Sequence, residues 1–162
     1  MSKDVYHVAG YVKLAKLWEK RSQEAIAYHK NYYIEKFKEC SQYQLTGVYI
    51  DITGNKRIAK RENMLRLLKD CTQGKIDCIA VQTKAYLAAD AREFCYLIKY
   101  LFDLRGGMDL ITEDADYHID TIKNSEKQKE ALYEMAKSYI ALNPSDYDRW
   151  VENIIKIIGK EE

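Results

Sequence analysis

A short basic stretch carries residues that could contact a phosphate. The stretch TGNKRIAKR follows the second predicted strand and contains Lys56, Arg57, Lys60 and Arg61. Lysine and arginine neutralise phosphate charge, so this group is a candidate for contact with the DNA backbone. The alternative interpretation is a solvated, mobile loop.

Two further charged residues, Lys13 and Asp51, stand where predicted strands end. Ligands of parallel α/β sheets bind beyond the carboxyl ends of the strands, so these ends are the places to search. The first turn after a strand reads LAKLWEKRS and contains no glycine. This argues against a dinucleotide or P-loop phosphate motif at that position.

The cysteines and histidines predict no metal site and no cofactor. No CxxC pair occurs, and the histidines His7, His29 and His118 are scattered. Each cysteine lies in an apolar run, which predicts buried free thiols and a reducing cytoplasm. The cysteines are Cys40, Cys71, Cys78 and Cys95.

Alternating strand and helix patterns predict an α/β fold with a mostly parallel sheet of about four strands and helices on both faces. The predicted strands span 5–15, 44–52, 76–83 and 108–112. The predicted helices span 18–40, 61–73 and 90–105. Helical spacing predicts the buried side of the first helix, formed by Ile26, Tyr33, Phe37 and Cys40. Gly74 suits the end of the second helix, and Gly106 and Gly107 suit the end of the third.

After residue 112 the pattern indicates helices only. The first covers 125–142, where Ser125 and Gln128 have capping-box spacing. Asn143 and Pro144 suit the start of the last helix. That helix carries an apolar stripe of Trp150, Val151, Ile154, Ile155 and Ile158. We therefore divide the chain into 1–114, an α/β domain, and 115–162, a helical extension.

An ordered set of segments carries a family resemblance. VYID at 48–51 is followed by Gly54, Arg61 and the run LRLLKDCTQGKIDCIAV at 65–81. Over about residues 5–114 this set resembles the catalytic domain of serine recombinases, the resolvase/invertase family. That family has a strand ending in aspartate, a mobile glycine-containing loop and an arginine that opens a helix. The resemblance implies a resolvase-like fold and places Asp51 and Arg61 at family positions.

The family cuts and rejoins DNA at specific sites with a serine hydroxyl, while arginines stabilise the phosphate charge. Its first strand ends in Tyr-x-Arg-x-Ser. The matching residues here are Tyr11, Lys13 and Ala15. The resemblance therefore implies that Ala15 occupies the nucleophile position, and that Lys13 keeps a charge but lacks the bidentate fork of arginine.

A second family signature places two arginines, three residues apart, and an asparagine after the central strand. Tyr86 and Ala89 stand at the arginine positions, and Asp90 stands at the asparagine position. No intact catalytic set is expected, only a remnant of Lys13, Asp51 and Arg61. Without that set, Asp51 and Arg61 could form a surface or loop-anchoring salt bridge, and Lys13 could be a solvated lysine.

Ser22, preceded by Arg21, is an alternative nucleophile. It lies seven residues beyond Ala15, at the start of a helix. A displacement of a helical turn or more destroys in-line geometry, so we interpret Ser22 as an ordinary helix residue.

The net charge and the lack of recognisable DNA-binding or membrane segments limit which partners the protein is expected to bind. The net charge of +1 argues against tight autonomous DNA binding and favours weak or indirect contact. Nothing after residue 115 resembles a zinc-containing domain or a basic recognition helix. The helix at 125–142 could form a dimer interface or pack on its own sheet. The absence of a signal peptide and of a long apolar run predicts a cytoplasmic protein without membrane contact.

Three functions remain open. The first is a non-cutting recombinase relative, a pseudoenzyme that acts as an accessory, regulatory or scaffold protein in the DNA recombination of a mobile element. It would form a homodimer or a heteromer with a recombinase-type protein. The second is an active recombinase with a non-standard nucleophile. The third is a small-ligand module lined by Tyr86, Asp51, Lys13 and Arg61.

Overall fold

The computed structural model describes residues 5–104, 108–123 and 125–160, with only the backbone described at 125, 126 and 160. Within these ranges, four parallel strands form one sheet in the order β2-β1-β3-β4. This confirms the predicted α/β class. The strands are β1 (Tyr6–Leu14), β2 (Tyr43–Ile52), β3 (Cys78–Val81) and β4 (Asp109–Thr112).

The helices follow the predicted order with one change. The helix predicted from residue 18 begins instead with a 3₁₀ turn over Lys16–Arg21. The backbone leaves the helical region at Arg21 (φ −128°, ψ 36°), and the α-helix starts at Ser22. The helices are α1 (Ser22–Phe37), α2 (Glu62–Thr72), α3 (Ala91–Asp103), α4 (Ser125–Ile140) and α5 (Pro144–Lys160).

The predicted buried side of α1 is partly wrong. Tyr33 and Phe37 are buried as predicted, but Ile26 is half-buried and Ala25 is buried beside it. Cys40 lies beyond the end of the helix and is half-buried. The helix ends at Phe37, so the helical spacing that predicted Cys40 on the buried side does not extend to that residue.

Helices cover both faces of the sheet. Successive side chains of β1 point to opposite faces, so each face receives apolar residues that a helix can cover. Val8 and Val12 pack with Tyr33 of α1 in one apolar cluster. Ala9 and Tyr11 belong to a second, larger cluster on the other face, which includes residues of α2, α3, α4 and α5. The predicted two-sided cover is confirmed.

The end of α2 follows its prediction. Gly74 has a φ of 83°, a left-handed conformation that favours glycine, and its N–H donates to the Cys71 carbonyl. Gly106 and Gly107 lie outside the described residues.

The two C-terminal helices pack on the α/β layer. Leu132 and Ala136 of α4 and Ile154 of α5 join the larger buried cluster. Trp150 is half-buried against it, whereas Ile155 is exposed, so the predicted apolar stripe is narrower than expected. None of the described helices is long and apolar enough to cross a membrane.

The capping residues predicted at the starts of these two helices behave differently in the structure. The Asn143 side chain accepts from the Asp146 N–H, as an N-cap should. The Gln128 side chain bonds backward to the Asp120 N–H and the His118 carbonyl. The side chain of Ser125, its predicted capping-box partner, lies outside the described residues.

Gly10 allows the closest approach between α1 and the sheet. A Cβ atom there would lie 2.7 Å from the Tyr33 ring. We predict that Gly10→Ala lowers the free energy of unfolding by about 1–3 kcal/mol, because a buried ring must shift. Urea denaturation followed by circular dichroism measures this. Gly54→Ala is the matched control, since nothing lies within 4 Å of its Cβ position. Equal losses in both variants would contradict the prediction.

Candidate functional site at the carboxyl end of the sheet

The parallel pairing of β1 and β2 brings the strand-end residues together. Lys13 pairs in register with Asp51, and Leu14 pairs with Ile52. The turn after β3, a 3₁₀ turn over Lys84–Tyr86, lies at the same edge because β3 pairs with β1. The carboxyl ends of three neighbouring strands therefore form one candidate site.

Asp51 is part of the frame of this site. It is only 4% exposed. Its carboxylate accepts from the Tyr11 hydroxyl at 2.7 Å and from the backbone N–H groups of Asn63 and Met64 at 2.8 and 2.9 Å. These are the second and third residues of α2, so Asp51 caps the helix from a neighbouring strand. Arg61, the residue at the N-cap position, has no acceptor to do this.

Arg61 is buried and is separated from the other three basic residues. Arg61 is only 1% exposed to solvent. The two terminal nitrogens donate to the carbonyls of Tyr86 and Lys56, each at 2.5 Å. The Nε atom is buried without a partner. Arg61 joins the loop after β2 to the turn after β3, and in this conformation a DNA phosphate does not reach it.

Asp51 and Arg61 are not joined by the salt bridge that the sequence left open. No ion pair within 4.0 Å links their side chains, and both groups are satisfied mainly by backbone atoms. The predicted salt bridge is therefore wrong: Arg61 anchors the loop by donating to backbone carbonyls, and Asp51 accepts from backbone N–H groups of α2. Lys56, Arg57 and Lys60 are exposed in the loop after β2 and remain available for contact with an anion.

Lys13 lies in a locally positive environment. It is half-buried, and its ammonium donates to the Thr53 carbonyl at 3.4 Å. Burial lowers the pKa of Lys13, and the positive charges of Arg61 and Lys56 lower it further against the opposing effect of Asp51. Cations that repel one another at a half-open site would be stabilised by a bound anion, such as a phosphate.

Ala15 follows β1 directly and is exposed. Its backbone is extended (φ −64°, ψ 152°), and its carbonyl accepts from the Trp18 N–H. Ser22 begins α1 on the far side of the 3₁₀ turn and is half-buried. The methyl group of Ala15 has no nucleophilic atom.

Three hydroxyls at this edge, those of Tyr11, Thr83 and Thr53, form hydrogen bonds with other groups. Burial, followed by the negative charge of Asp51, raises the pKa of Tyr11, which makes it a poor nucleophile. The Thr83 hydroxyl donates to Asp114 at 2.7 Å, and the Thr53 hydroxyl accepts from the Asn55 N–H.

The residues after β3 build turns and caps. Burial raises the pKa of Tyr86, whose carbonyl holds Arg61. The Asp90 carboxylate accepts from the Glu93 N–H at 2.8 Å and so caps α3. The Ala89 N–H donates to the Glu93 side chain at 3.0 Å.

Glu93 is a site residue that the sequence interpretation missed. It is 3% exposed, and its carboxylate also accepts hydrogen bonds from the Ile58 N–H in the loop after β2 and from the Trp150 indole of α5. The spacing of Asp90 and Glu93 signals a helix start, but the two more distant donors leave no sequence signal.

A cavity of about 400 Å³ lies on the α1 side of the strand end. It differs from the predicted small-ligand crevice, whose residues Asp51 and Arg61 have their side chains engaged inside the protein. Burial lowers the pKa of His29, so its imidazole is biased toward the neutral form. The lining residues are Leu14, Trp18, Glu24, Ala25, Tyr28 and His29.

The fold is similar to two solved catalytic domains. The N-terminal catalytic domain of TP901-1 integrase gives a TM-score of 0.57 at 20% identity, covering 90% of this chain and 98% of that one. The C-terminal catalytic domain of ISC1926 TnpA, an IS607-like serine recombinase, gives a TM-score of 0.50 at 18% identity, covering 94% and 99%. No family model and no curated protein matches the sequence. The likeness confirms the predicted resolvase-like fold.

The internal role of Arg61 can be tested against Arg57 in the same loop. We predict that Arg61→Lys lowers the free energy of unfolding by about 1–3 kcal/mol, because one ammonium cannot bridge two carbonyls. Arg57→Lys should change it by less than about 0.5 kcal/mol, because Arg57 is exposed. Urea denaturation of both variants gives the comparison. If Arg61→Lys leaves the free energy of unfolding unchanged, the guanidinium does not anchor the loop.

Proposed function

We propose that this protein acts in DNA recombination without cutting DNA, as an accessory, regulatory or scaffold protein. It would assemble with a second copy of itself or with a recombinase-type protein. The observation that carries the proposal is Ala15, an exposed alanine at the carboxyl end of β1 in a recombinase-like fold. The sequence resemblance implies that Ala15 stands where that family has its nucleophilic serine.

Phosphoryl transfer at this edge would lack two requirements. A nucleophile must stand in line with the phosphate, but the hydroxyls of Tyr11 and Thr83 donate to carboxylates and Ser22 lies beyond the 3₁₀ turn. Burial raises the pKa of the Tyr86 hydroxyl, which disfavours its reactive anion. Cations must also stabilise the charge that develops on the phosphate. Tyr86 and Ala89 supply none, and Arg61 is committed to two carbonyls.

Weak DNA contact remains chemically reasonable. Lys56, Arg57 and Lys60 are exposed on one loop, and Lys13 lies near Lys56. Such a group attracts a phosphate backbone without reading its sequence. A net charge of +1 supports contact that is weak and salt-sensitive. The free cysteines Cys40, Cys78 and Cys95 fit a cytoplasmic protein, since thiols stay reduced there.

The absence of cutting is tested by incubation with supercoiled and linear DNA, followed by denaturing electrophoresis. We predict no covalent protein–DNA adduct from the unmodified protein. Any adduct would overturn the proposal, and its loss in Ser22→Ala would identify the unexpected nucleophile. A mock reaction without protein controls for nicking already present in the DNA.

Assembly is tested by light scattering, alone and after mixing with a recombinase-type protein from the same source. We predict either twice the 19.0 kDa chain mass or a complex with that protein. The physical reason is that a protein that does not cut DNA can affect recombination only by binding other molecules. A strict monomer in both measurements at micromolar concentration would overturn this part of the proposal.

A further inference from the structure

Glu93 is a buried carboxylate shared by three segments of the chain. One oxygen accepts from the backbone N–H groups of Ile58 at 3.2 Å and Ala89 at 3.0 Å. The other accepts from the Trp150 indole at 3.0 Å. No cation lies within ion-pair distance of Glu93 among the described residues. The carboxylate therefore depends on these donors for its stabilisation.

The first donor belongs to the loop over residues 53–61, here called the basic loop. Ile58 inserts its side chain into the larger apolar cluster, while Lys56, Arg57 and Lys60 face solvent. Arg61 closes the loop with its bonds to the carbonyls of Lys56 and Tyr86. The Glu93 bond to Ile58 thus holds the centre of the loop, and the Arg61 bonds hold its end.

The third donor belongs to α5, the last helix of the described chain. The Trp150 ring packs against Tyr96, Tyr100 and Tyr147 at centroid distances of 5.8, 6.2 and 6.4 Å. This aromatic cluster orients the indole so that its N–H reaches Glu93. The position of α5 therefore determines whether the carboxylate keeps its third donor.

We propose that Glu93 couples the docking of α5 to the conformation of the basic loop. When α5 is docked, the indole satisfies Glu93 and shields its bond to Ile58 from water. When α5 is displaced, water reaches the carboxylate and competes for that bond, so the loop opens more readily. A partner that holds or displaces α5 would thereby change how Lys56, Arg57 and Lys60 are presented to an anionic polymer. This last step rests on the proposed DNA contact.

Hydrogen exchange of individual amides, measured by NMR without DNA, tests the coupling. Trp150→Phe keeps a packed ring but removes the N–H donor. The amides of Ile58, Lys60 and Arg61 should exchange about tenfold faster, the factor expected from losing one hydrogen bond to a charged group. Glu93→Gln should accelerate the same amides, because its amide nitrogen must face a donor.

Tyr100→Phe is the matched control. It keeps the ring that packs on Trp150 but removes the hydroxyl that pairs with the Thr72 hydroxyl of α2 at 3.0 Å, and it leaves the link from Trp150 to Glu93 intact. Loop amides in this variant should stay within about twofold of the unmodified protein. The coupling is overturned if Trp150→Phe and Glu93→Gln both leave the loop amides unchanged. It is also overturned if Tyr100→Phe accelerates them as much.

A second measurement separates this coupling from the proposed DNA contact. The chain has two tryptophans, so Trp18→Phe leaves Trp150 as the reporter of α5. Titration with a short DNA duplex should change Trp150 emission, and Trp150→Phe should change the affinity for the duplex as measured by anisotropy, since a coupling between two sites is reciprocal. If the duplex does not bind at all, the proposed DNA contact fails and the exchange data alone decide the coupling. If it binds with unchanged affinity in Trp150→Phe, the coupling fails.

Discussion

Three buried charges hold the carboxyl end of the sheet together, and each is satisfied mainly by backbone groups. Asp51 accepts from the first turn of α2, Arg61 donates to two carbonyls, and Glu93 accepts from two backbone amides and an indole. A buried charge that loses such partners is costly, so the segments bonded to it must keep their positions. The start of α2, the basic loop and the turn after β3 are fixed by this constraint.

That constraint changes what the strand-end residues mean for function. Asp51 and Arg61 match the recombinase pattern in sequence, yet both have structural partners that explain their burial without any substrate. Retention of the two residues is therefore no sign of retained chemistry. The position that bears on chemistry is Ala15, which is exposed and free of any comparable structural task. A fold held by such internal bonds does not depend on which side chain stands at position 15, because that side chain makes none of these bonds.

The sequence predicted the strands, their parallel arrangement and the positions of α2 and α3, because continuous apolar runs and helical spacing leave a local signal. It failed at α1, where the conformation at Arg21 breaks the helix without a glycine or proline. It also placed Arg61 in one group with Lys56, Arg57 and Lys60. A run of basic residues does not show which of them turns inward, since this depends on carbonyls 5 and 25 residues away. Glu93 was missed for the same reason: its donors Ile58 and Trp150 lie 35 and 57 residues away.

The electrostatics of the remaining surface follow from the same arrangement. Because the partners of Arg61 are neutral carbonyls and not a carboxylate, no paired anion cancels its positive charge. Burial lowers the pKa of Lys13, and the charge of Arg61 lowers it further. Lys56 adds to the effect from the edge of the basic loop. Lys13 and the exposed basic residues of the loop therefore give this edge of the sheet an attraction for anions. Under the proposed function, this attraction would let the domain contact a phosphate backbone and leave it intact, and the conformation of the basic loop would control that contact.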